Sequence, residues 1–164
     1  MAGGALVAPA YIKNMITDSP NERINVALIG IAGKRPGVRG IIDGRGIVHI
    51  EQYAAIPNVR IKTICDVDER LFPENIKIIE EKFGATPLTE FDYLKVLEDK
   101  DIDVVSIATP DHWHALMTIR ACQAGKDVYV EKPVCHTLLE GRKMVEDARK
   151  YNRIVQAGIC YRSS

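Results

Sequence analysis

The sequence predicts a single α/β domain in which helices cover both faces of a doubly wound parallel sheet. From residue 24 onward, short apolar runs alternate with longer amphipathic stretches, which is the pattern of βαβ units. The run over residues 103–108 is almost entirely apolar, as expected of a central parallel strand that is buried on both faces. The chain has 164 residues, enough for one domain with a sizeable core.

Glycine and proline residues mark the ends of several predicted elements. Gly30 ends the first strand, Pro57 closes the first helix, and Gly84 and Gly125 follow two later helices. This alternation of six strands with helices predicts a Rossmann-type domain. The predicted strands cover residues 24–30, 59–65, 85–88, 103–108, 127–130 and 153–158, and the predicted helices cover residues 46–56, 68–83, 89–97, 112–124 and 137–151.

Two of these helices begin with the pattern of a capping box. In a capping box, a Thr oxygen and an acidic side chain three residues later satisfy each other's free backbone N–H groups. Thr89 with Asp92 fits this pattern, and so does Thr137 with Glu140. We therefore expect helices to start at both threonines.

The first 23 residues form an N-terminal arm outside the predicted domain, which covers residues 24–164. Residues 1–10 are small and apolar, and residues 17–23 are polar. The arm resembles the remnant of an export signal, and a loose arm accounts for it equally well. Two locations therefore stay open: cytoplasmic, or exported if residues 1–10 are the remnant of a signal peptide.

Composition excludes several classes of function. The 22 Lys and Arg residues balance 22 Asp and Glu residues, whereas proteins that bind nucleic acids or anionic membranes usually carry a basic excess. No apolar stretch approaches the roughly 18–20 residues that span a bilayer. The four cysteines form no CxxC pair and are interpreted as buried thiols rather than metal ligands or disulfides. We expect no nucleic-acid partner, no membrane partner and no metal.

A glycine-rich turn after the first strand is a candidate phosphate site. Glycines let backbone N–H groups approach an anion at a helix N-terminus. The strict GxGxxG motif is absent, because the glycines Gly44 and Gly46 come well after Gly30. A flexible surface loop explains such a stretch about as well.

Asp66 strengthens the phosphate-site interpretation. It follows the second predicted strand, about 20 residues after Gly46, where an acidic residue can accept both ribose hydroxyls of an adenine dinucleotide. Its carboxylate would repel a 2′-phosphate, so NAD is favoured over NADP. The alternative role is that of a helix cap, which Asp68 can fill instead.

Two further segments lie at the ends of the fourth and fifth predicted strands, where open α/β sheets bind ligands. The first, residues 108–114, contains His112 and His114, which are two residues apart and make a poor metal pair on a helix. The second, residues 130–133, contains Lys132. This lysine is either a solvated turn residue or a group that orients a substrate hydroxyl and moves its proton.

Taken together, these segments closely resemble the N-terminal half of the Gfo/Idh/MocA family of oxidoreductases. The resemblance covers about residues 24–164 and rests on several motifs in the same order. It implies an NAD(P)-dependent dehydrogenase that acts on a sugar, an inositol or a related polyol by hydride transfer. The motifs are the strand ending in Gly30 with residues 44–49, residues 64–68, residues 108–114, residues 125–133, residues 155–158 and Tyr161 with Arg162.

The resemblance also implies roles for individual residues. Lys132, in the Glu-Lys-Pro motif, lies between nicotinamide and substrate and is the expected catalytic residue. Arg162 is expected at the mouth of the substrate site. The expected cofactor-binding residues are Gly30, Gly44, Arg45 and Gly46 at the pyrophosphate turn, Asp66 at the adenosine ribose, Thr109, Pro110, Trp113 and His114 around the nicotinamide ribose, and Glu131 with Lys132.

The sequence departs from the family pattern in two places. Between Gly30 and Gly44 lies an insertion, interpreted as a tolerated surface insertion rather than a basic flap over the phosphates. The chain also stops where the family's second domain begins. The resemblance implies that the second domain provides the contacts of a homo-oligomer in the full-length form and further acid–base residues. The chain alone is therefore expected to be inactive. The alternatives are an NAD-dependent glycoside hydrolase of the same fold and a non-catalytic nucleotide-binding fragment.

Overall fold

The computed structural model describes residues 23–31 and 44–159. Residues 1–22 of the N-terminal arm, residues 32–43 of the insertion, Cys160, Tyr161 and Arg162 lie outside these residues, so their predicted roles are not described below. The strands are β1 (Ile24–Ile29), β2 (Val59–Cys65), β3 (Leu88–Glu90), β4 (Val104–Ile107), β5 (Asp127–Glu131) and β6 (Val155–Gly158). The helices are α1 (Arg45–Ala54), α2 (Phe72–Phe83), α3 (Tyr93–Glu98), α4 (His114–Gln123) and α5 (Leu138–Lys150).

The strands form one six-stranded sheet with the order β3-β2-β1-β4-β5-β6, and every pair is parallel. The predicted Rossmann-type fold is therefore confirmed. The chain reverses its direction of winding at β1, so loops leaving β1 and β4 diverge at the carboxyl edge and open a crevice there.

Alternate residues of the central strands feed two separate cores. Ala27 and Ile29 of β1 belong to a core that includes residues of α3, α4 and α5. Leu28, between them, belongs to a second core with Ile50 of α1 and Ile79 of α2. Because side chains alternate across a strand, β1 is buried on both faces and holds the crevice in a fixed position.

One of the two predicted capping boxes is confirmed. At α5, Thr137 Oγ1 accepts a hydrogen bond from the Glu140 N–H, and Glu140 accepts one from the Thr137 N–H. The box at Thr89 is wrong, because Thr89 lies in β3, opposite Ile64 of β2. Asp92 caps α3 instead, with its carboxylate accepting from the Leu94 N–H.

Short 3₁₀ turns precede two of the helices. Pro73 and Glu74 predict that the regular part of the second helix starts near them, and α2 does start at Phe72, whereas α4 starts two residues later than predicted. A short 3₁₀ turn, Glu69–Leu71, precedes α2, and Asp68 caps it by accepting from the Arg70 N–H. A second 3₁₀ turn, Asp111–Trp113, precedes α4. Both turns lie at the carboxyl edge of the sheet, so they shape the border of the crevice. In the described ranges, no helix is long and apolar enough to cross a membrane.

The cysteines within the described ranges agree in part with their predicted burial. Cys65 and Cys122 are buried free thiols, whereas Cys135 is only half-buried. Burial raises the pKa of Cys65 to about 12 and that of Cys122 to about 11. Neither buried thiol is therefore a reactive nucleophile near neutral pH.

Candidate functional site

Two glycines bring the first turn of α1 against the end of β1. A Cβ on Gly30 would lie 2.6 Å from the Thr109 backbone nitrogen, and Gly30 also has a φ of +82°. A Cβ on Gly46 would lie 2.6 Å from the Gly30 carbonyl oxygen and still closer to the Ile31 carbonyl oxygen. Only residues without a side chain permit this packing, and it leaves room for a ligand to approach the backbone.

The N-terminus of α1 is suited to an anion. Gly44 precedes the helix and provides no side-chain cap, and the first turn contains no acidic residue. The helix dipole and the backbone N–H groups of that turn therefore attract negative charge. Arg45, the first residue of the helix, adds a cation that is partly exposed.

Asp66 lies at the end of β2 and is held in place by the backbone. One carboxylate oxygen accepts from the Ile31 N–H at 3.0 Å, and the other accepts from the Asp68 N–H at 3.0 Å. Each oxygen keeps further lone pairs for a ligand hydroxyl. Asp68 is paired with Arg70, at 2.7 and 2.8 Å, so the nearby guanidinium is already engaged by a carboxylate.

A cleft of about 430 Å³ opens beside Gly30 and Asp66. Residues that follow β1, β2, β3 and β4 surround it, so it lies at the switch point of the sheet. Its walls are mainly apolar, with the Asp66 and Asp92 side chains among them. The lining residues are Ile29, Gly30, Cys65, Asp66, Val67, Phe91, Asp92, Tyr93, Thr109, Pro110, Trp113 and Met117.

The structure places His114 beneath this wall and not among the residues that line the cleft. His114 is 2% exposed. Its Nδ1 lies 2.7 Å from the Pro133 carbonyl oxygen and its Nε2 lies 2.8 Å from the Thr109 carbonyl oxygen. His114 therefore ties the loop after β4 to the loop after β5.

A second contact joins the same two loops. His136 Nε2 lies 3.1 Å from the Asp111 carboxylate, and both side chains are about half exposed. The hydrogen bond from His136 lowers the pKa of Asp111. The two bridges hold the segments that contain Thr109 and Lys132 in a fixed relation.

Glu131 is the centre of a buried polar cluster that the sequence did not predict. Its Oε1 accepts from Arg45 at 2.9 and 3.0 Å and from His49 Nε2 at 2.9 Å. His49 Nδ1 lies 2.9 Å from Ser106 Oγ, and the Tyr53 hydroxyl donates to Ser106 Oγ at 3.0 Å. We call these five residues the Glu131 cluster. Two features of the sequence could have indicated this cluster: a histidine among the apolar positions of α1, and a serine within the otherwise apolar strand β4.

The charges of this cluster are set by burial and by hydrogen bonds. Burial lowers the pKa of His49 below its ordinary value of 6.5, and Glu131 offsets this only in part. Burial opposes ionisation of Glu131, but hydrogen bonds from His49 and Arg45 outweigh it and hold its pKa below the usual value. A neutral His49 thus donates to an ionised Glu131.

The free energy of unfolding is expected to fall below neutral pH because of His49. The unfolded state binds a proton at this residue more readily than the folded state does. The contribution of neutral His49 to the free energy of unfolding is therefore fully present above about pH 6.5, and it is lost as the pH falls toward the lower pKa of the folded state. Urea unfolding at about pH 7.5 and about pH 5.5 should show a decrease from His49 of up to about 1.4 kcal/mol. The decrease should shrink in His49→Leu; an equal decrease in both proteins would contradict this account.

Lys132 follows β5 with an exposed side chain. Its backbone N–H donates to Glu131 Oε2 at 3.3 Å. The carboxyl edge of the sheet thus contains three features: a site for an anion at the N-terminus of α1, a mainly apolar cleft, and an exposed lysine amine. The cleft also contains a carboxylate that can accept hydrogen bonds from ribose hydroxyls. These features fit an adenine dinucleotide, with the cradle between Gly30 and Gly46 at its phosphates.

Comparison with known proteins agrees with this assignment. Residues 24–159 match the family model GFO_IDH_MocA, described as an oxidoreductase family with an NAD-binding Rossmann fold. The chain is 30% identical over 164 residues to glycosyl hydrolase family 109 protein 1 of Shewanella sp. (strain ANA-3), covering 91% of this chain and 36% of that protein. The chain thus spans little more than a third of the length of such relatives.

Solved structures share the same fold. The myo-inositol 2-dehydrogenase of Lactobacillus plantarum superposes with a TM-score of 0.68 at 24% identity, over 87% of this chain and 38% of that chain. GenD2 from gentamicin A biosynthesis, in complex with NAD, superposes with a TM-score of 0.67 at 26% identity, over 84% of this chain and 34% of that chain.

Proposed function

Because the chain belongs to the Gfo/Idh/MocA oxidoreductase family and contains its NAD-binding Rossmann domain, we propose that it binds NAD in preference to NADP and serves a sugar or polyol dehydrogenase. The observation that carries the cofactor preference is the position of Asp66. Its carboxylate faces the cleft between Gly30 and Asp92 and is fixed by two backbone N–H groups. It can accept ribose hydroxyls and would repel a 2′-phosphate.

The proposed reaction divides the work between cofactor and protein. When bound, the nicotinamide would accept a hydride from the substrate. Lys132 would help move the hydroxyl proton as the carbinol carbon becomes a carbonyl, because its exposed side chain follows β5 at the carboxyl edge of the sheet. The Glu131 carboxylate accepts the Lys132 backbone N–H and so restrains the segment that presents this amine.

The substrate class is supported by the relatives. The fold neighbours include an inositol dehydrogenase, and GenD2 is a 26% identical neighbour that was solved with NAD. Incubating the full-length enzyme with NAD⁺ and a panel of inositols, hexoses and their glycosides tests the proposal. Growth of the NADH absorbance with one of these alcohols is expected. No NADH with any member would contradict a dehydrogenase.

One observation favours a second candidate, an NAD-dependent glycoside hydrolase. The 30% identical relative is named as a member of glycosyl hydrolase family 109. In that case the bound NAD⁺ would be reduced by a hydride from the substrate and reoxidised within the same cycle, so the substrate is oxidised only transiently. Release of the aglycone from a nitrophenyl glycoside, dependent on NAD⁺ but without net NADH, would favour this candidate over the dehydrogenase.

Removing the Asp66 carboxylate is expected to weaken NAD⁺ binding by roughly 1–3 kcal/mol, because a charge-assisted hydrogen bond is lost. NADP⁺ binding should weaken less or improve, because the repulsion is lost as well. Isothermal titration calorimetry of Asp66→Ala measures both. Asp101→Ala is the matched control, since that exposed carboxylate lies at the opposite edge of the sheet. Equal affinity of Asp66→Ala and the parent protein for NAD⁺ would refute the assignment.

A further inference from the structure

The hydrogen bonds of the Glu131 cluster run in one direction. An ionised carboxylate only accepts, so His49 Nε2 must be the protonated nitrogen that donates to Glu131. His49 Nδ1 is then the acceptor, and the Ser106 hydroxyl donates to it. The Tyr53 hydroxyl donates to Ser106 in turn. The cluster thus defines a single neutral tautomer of His49.

The cluster is also rigidly enclosed. His49 is 1% exposed, Ser106 is fully buried and Glu131 is 3% exposed. The Tyr129 and His49 rings pack in a T-shaped arrangement, with ring centroids 5.1 Å apart. A Cβ on Gly158 of β6 would lie 3.2 Å from Glu131 Oε1, so the neighbouring strand closes the remaining side. The carboxylate therefore has little freedom to rotate.

This carboxylate contacts two parts of the proposed cofactor site, the phosphate turn and the segment with Lys132. Its Oε1 accepts from the Nε and Nη2 atoms of Arg45, which is the first residue of α1 and precedes Gly46. Its Oε2 accepts the backbone N–H of Lys132. The Arg45 side chain is 38% exposed and that of Glu131 is 4% exposed, so the acid is inside and the cation lies toward the surface.

We propose that His49 is a positioning residue of the dinucleotide site, which acts through Glu131 to hold the Arg45 guanidinium at the first turn of α1. The inference rests on the proposed cofactor binding. Without the Nε2–H donor, Glu131 keeps Arg45 as its side-chain partner within the cluster, and the less restrained carboxylate shifts together with it. The cation then leaves the helix N-terminus, where the cofactor phosphates are expected.

The test is NAD⁺ affinity measured by calorimetry on the chain with substitutions at His49 and Arg45. His49→Leu should weaken NAD⁺ binding about tenfold, the scale of one hydrogen bond to a charged group. His49→Gln should restore binding to within about threefold, because its amide can donate to Glu131 and accept from Ser106. In an Arg45→Ala background, His49→Leu should have less than about a twofold further effect, since the group it positions is gone.

A matched control separates positioning from stability. Lys126 is 5% exposed and donates to the Asp99 and Ile102 carbonyl oxygens at the amino end of β5, far along the strand from Glu131. Lys126→Met should lower the melting temperature but leave NAD⁺ affinity within about twofold. If Lys126→Met weakens binding as much as His49→Leu, or if the His49 and Arg45 effects multiply, the role is structural and the proposal is wrong.

A milder variant serves if His49→Leu fails to fold by circular dichroism. Ser106→Ala removes the donor to Nδ1, so the imidazole that donates to Glu131 is held less firmly. About threefold weaker binding is expected, again absent in the Arg45→Ala background. Unchanged NAD⁺ binding by Ser106→Ala would overturn this inference but would leave the proposed function intact. Failure of the unsubstituted chain to bind either NAD⁺ or NADP⁺ would instead overturn the proposed function.

Discussion

In the proposed dehydrogenase, Lys132→Met is expected to lower kcat about 100-fold or more, while the melting temperature and NAD⁺ affinity change little. The reason is that Lys132 combines a transferable proton with a place at the carboxyl end of β5, and a positioned acid–base group contributes on this scale. Its side chain is exposed, so its loss leaves no cavity. Steady-state kinetics, thermal unfolding and calorimetry on the same preparation measure the three quantities.

Lys100→Met is the matched control for this prediction. Lys100 is also exposed but precedes β4, at the amino edge of the sheet. Its substitution removes the same charge without touching the crevice, so kcat should stay within about twofold. If Lys132→Met retains the parent kcat, or if weaker NAD⁺ binding accounts for the whole loss, Lys132 is a surface residue without a catalytic role.

Gly46→Ala is expected to lower the free energy of unfolding by about 1–3 kcal/mol, the usual cost of inserting a methyl group into a packed site. It should also weaken NAD⁺ binding at least about tenfold. The new Cβ would collide with the carbonyl oxygens of Gly30 and Ile31, and backbone cannot move aside as a flexible side chain does. The first turn of α1 would have to shift away from β1. Urea unfolding and calorimetry measure the two effects.

Gly84→Ala provides the comparison for Gly46→Ala. Gly84 has a φ of +67° and ends α2, but a Cβ there meets no atom within 4 Å. Its substitution costs about 1 kcal/mol of backbone strain and should leave NAD⁺ affinity unchanged. Wild-type NAD⁺ affinity in Gly46→Ala would show that the close approach at α1 is unimportant for the cofactor.

The order of elements could be predicted because each strand is locally distinct. Apolar runs such as residues 103–108, with glycines after the helices, specify βαβ units without any tertiary information. The start of α3 could not be read in the same way. Thr89 and Asp92 fit a capping box, but Thr89 is taken into the sheet by its pairing with Ile64, so Asp92 becomes the cap. Tertiary pairing overrode a local signal.

The crevice residues after β1, β2 and β4 were predictable because parallel strands end at one edge. Gly30, Asp66, Thr109, Pro110 and Trp113 do line one cleft. The Glu131 cluster was not predictable, since His49, Ser106 and Glu131 are far apart in sequence and meet only through the packing of α1 on β4 and β5. His114 was expected at the nicotinamide ribose, and only the structure shows its two carbonyl contacts.

Calorimetric titration of the purified chain with NAD⁺ and with NADP⁺, at one salt concentration, tests the central claim most directly. The account predicts saturable binding of both, with NAD⁺ tighter by at least about tenfold, because Asp66 offers acceptors to ribose hydroxyls and repels a 2′-phosphate. Equal or tighter binding of NADP⁺ would contradict the role of Asp66. Absence of binding by either dinucleotide would contradict the proposed function as a whole.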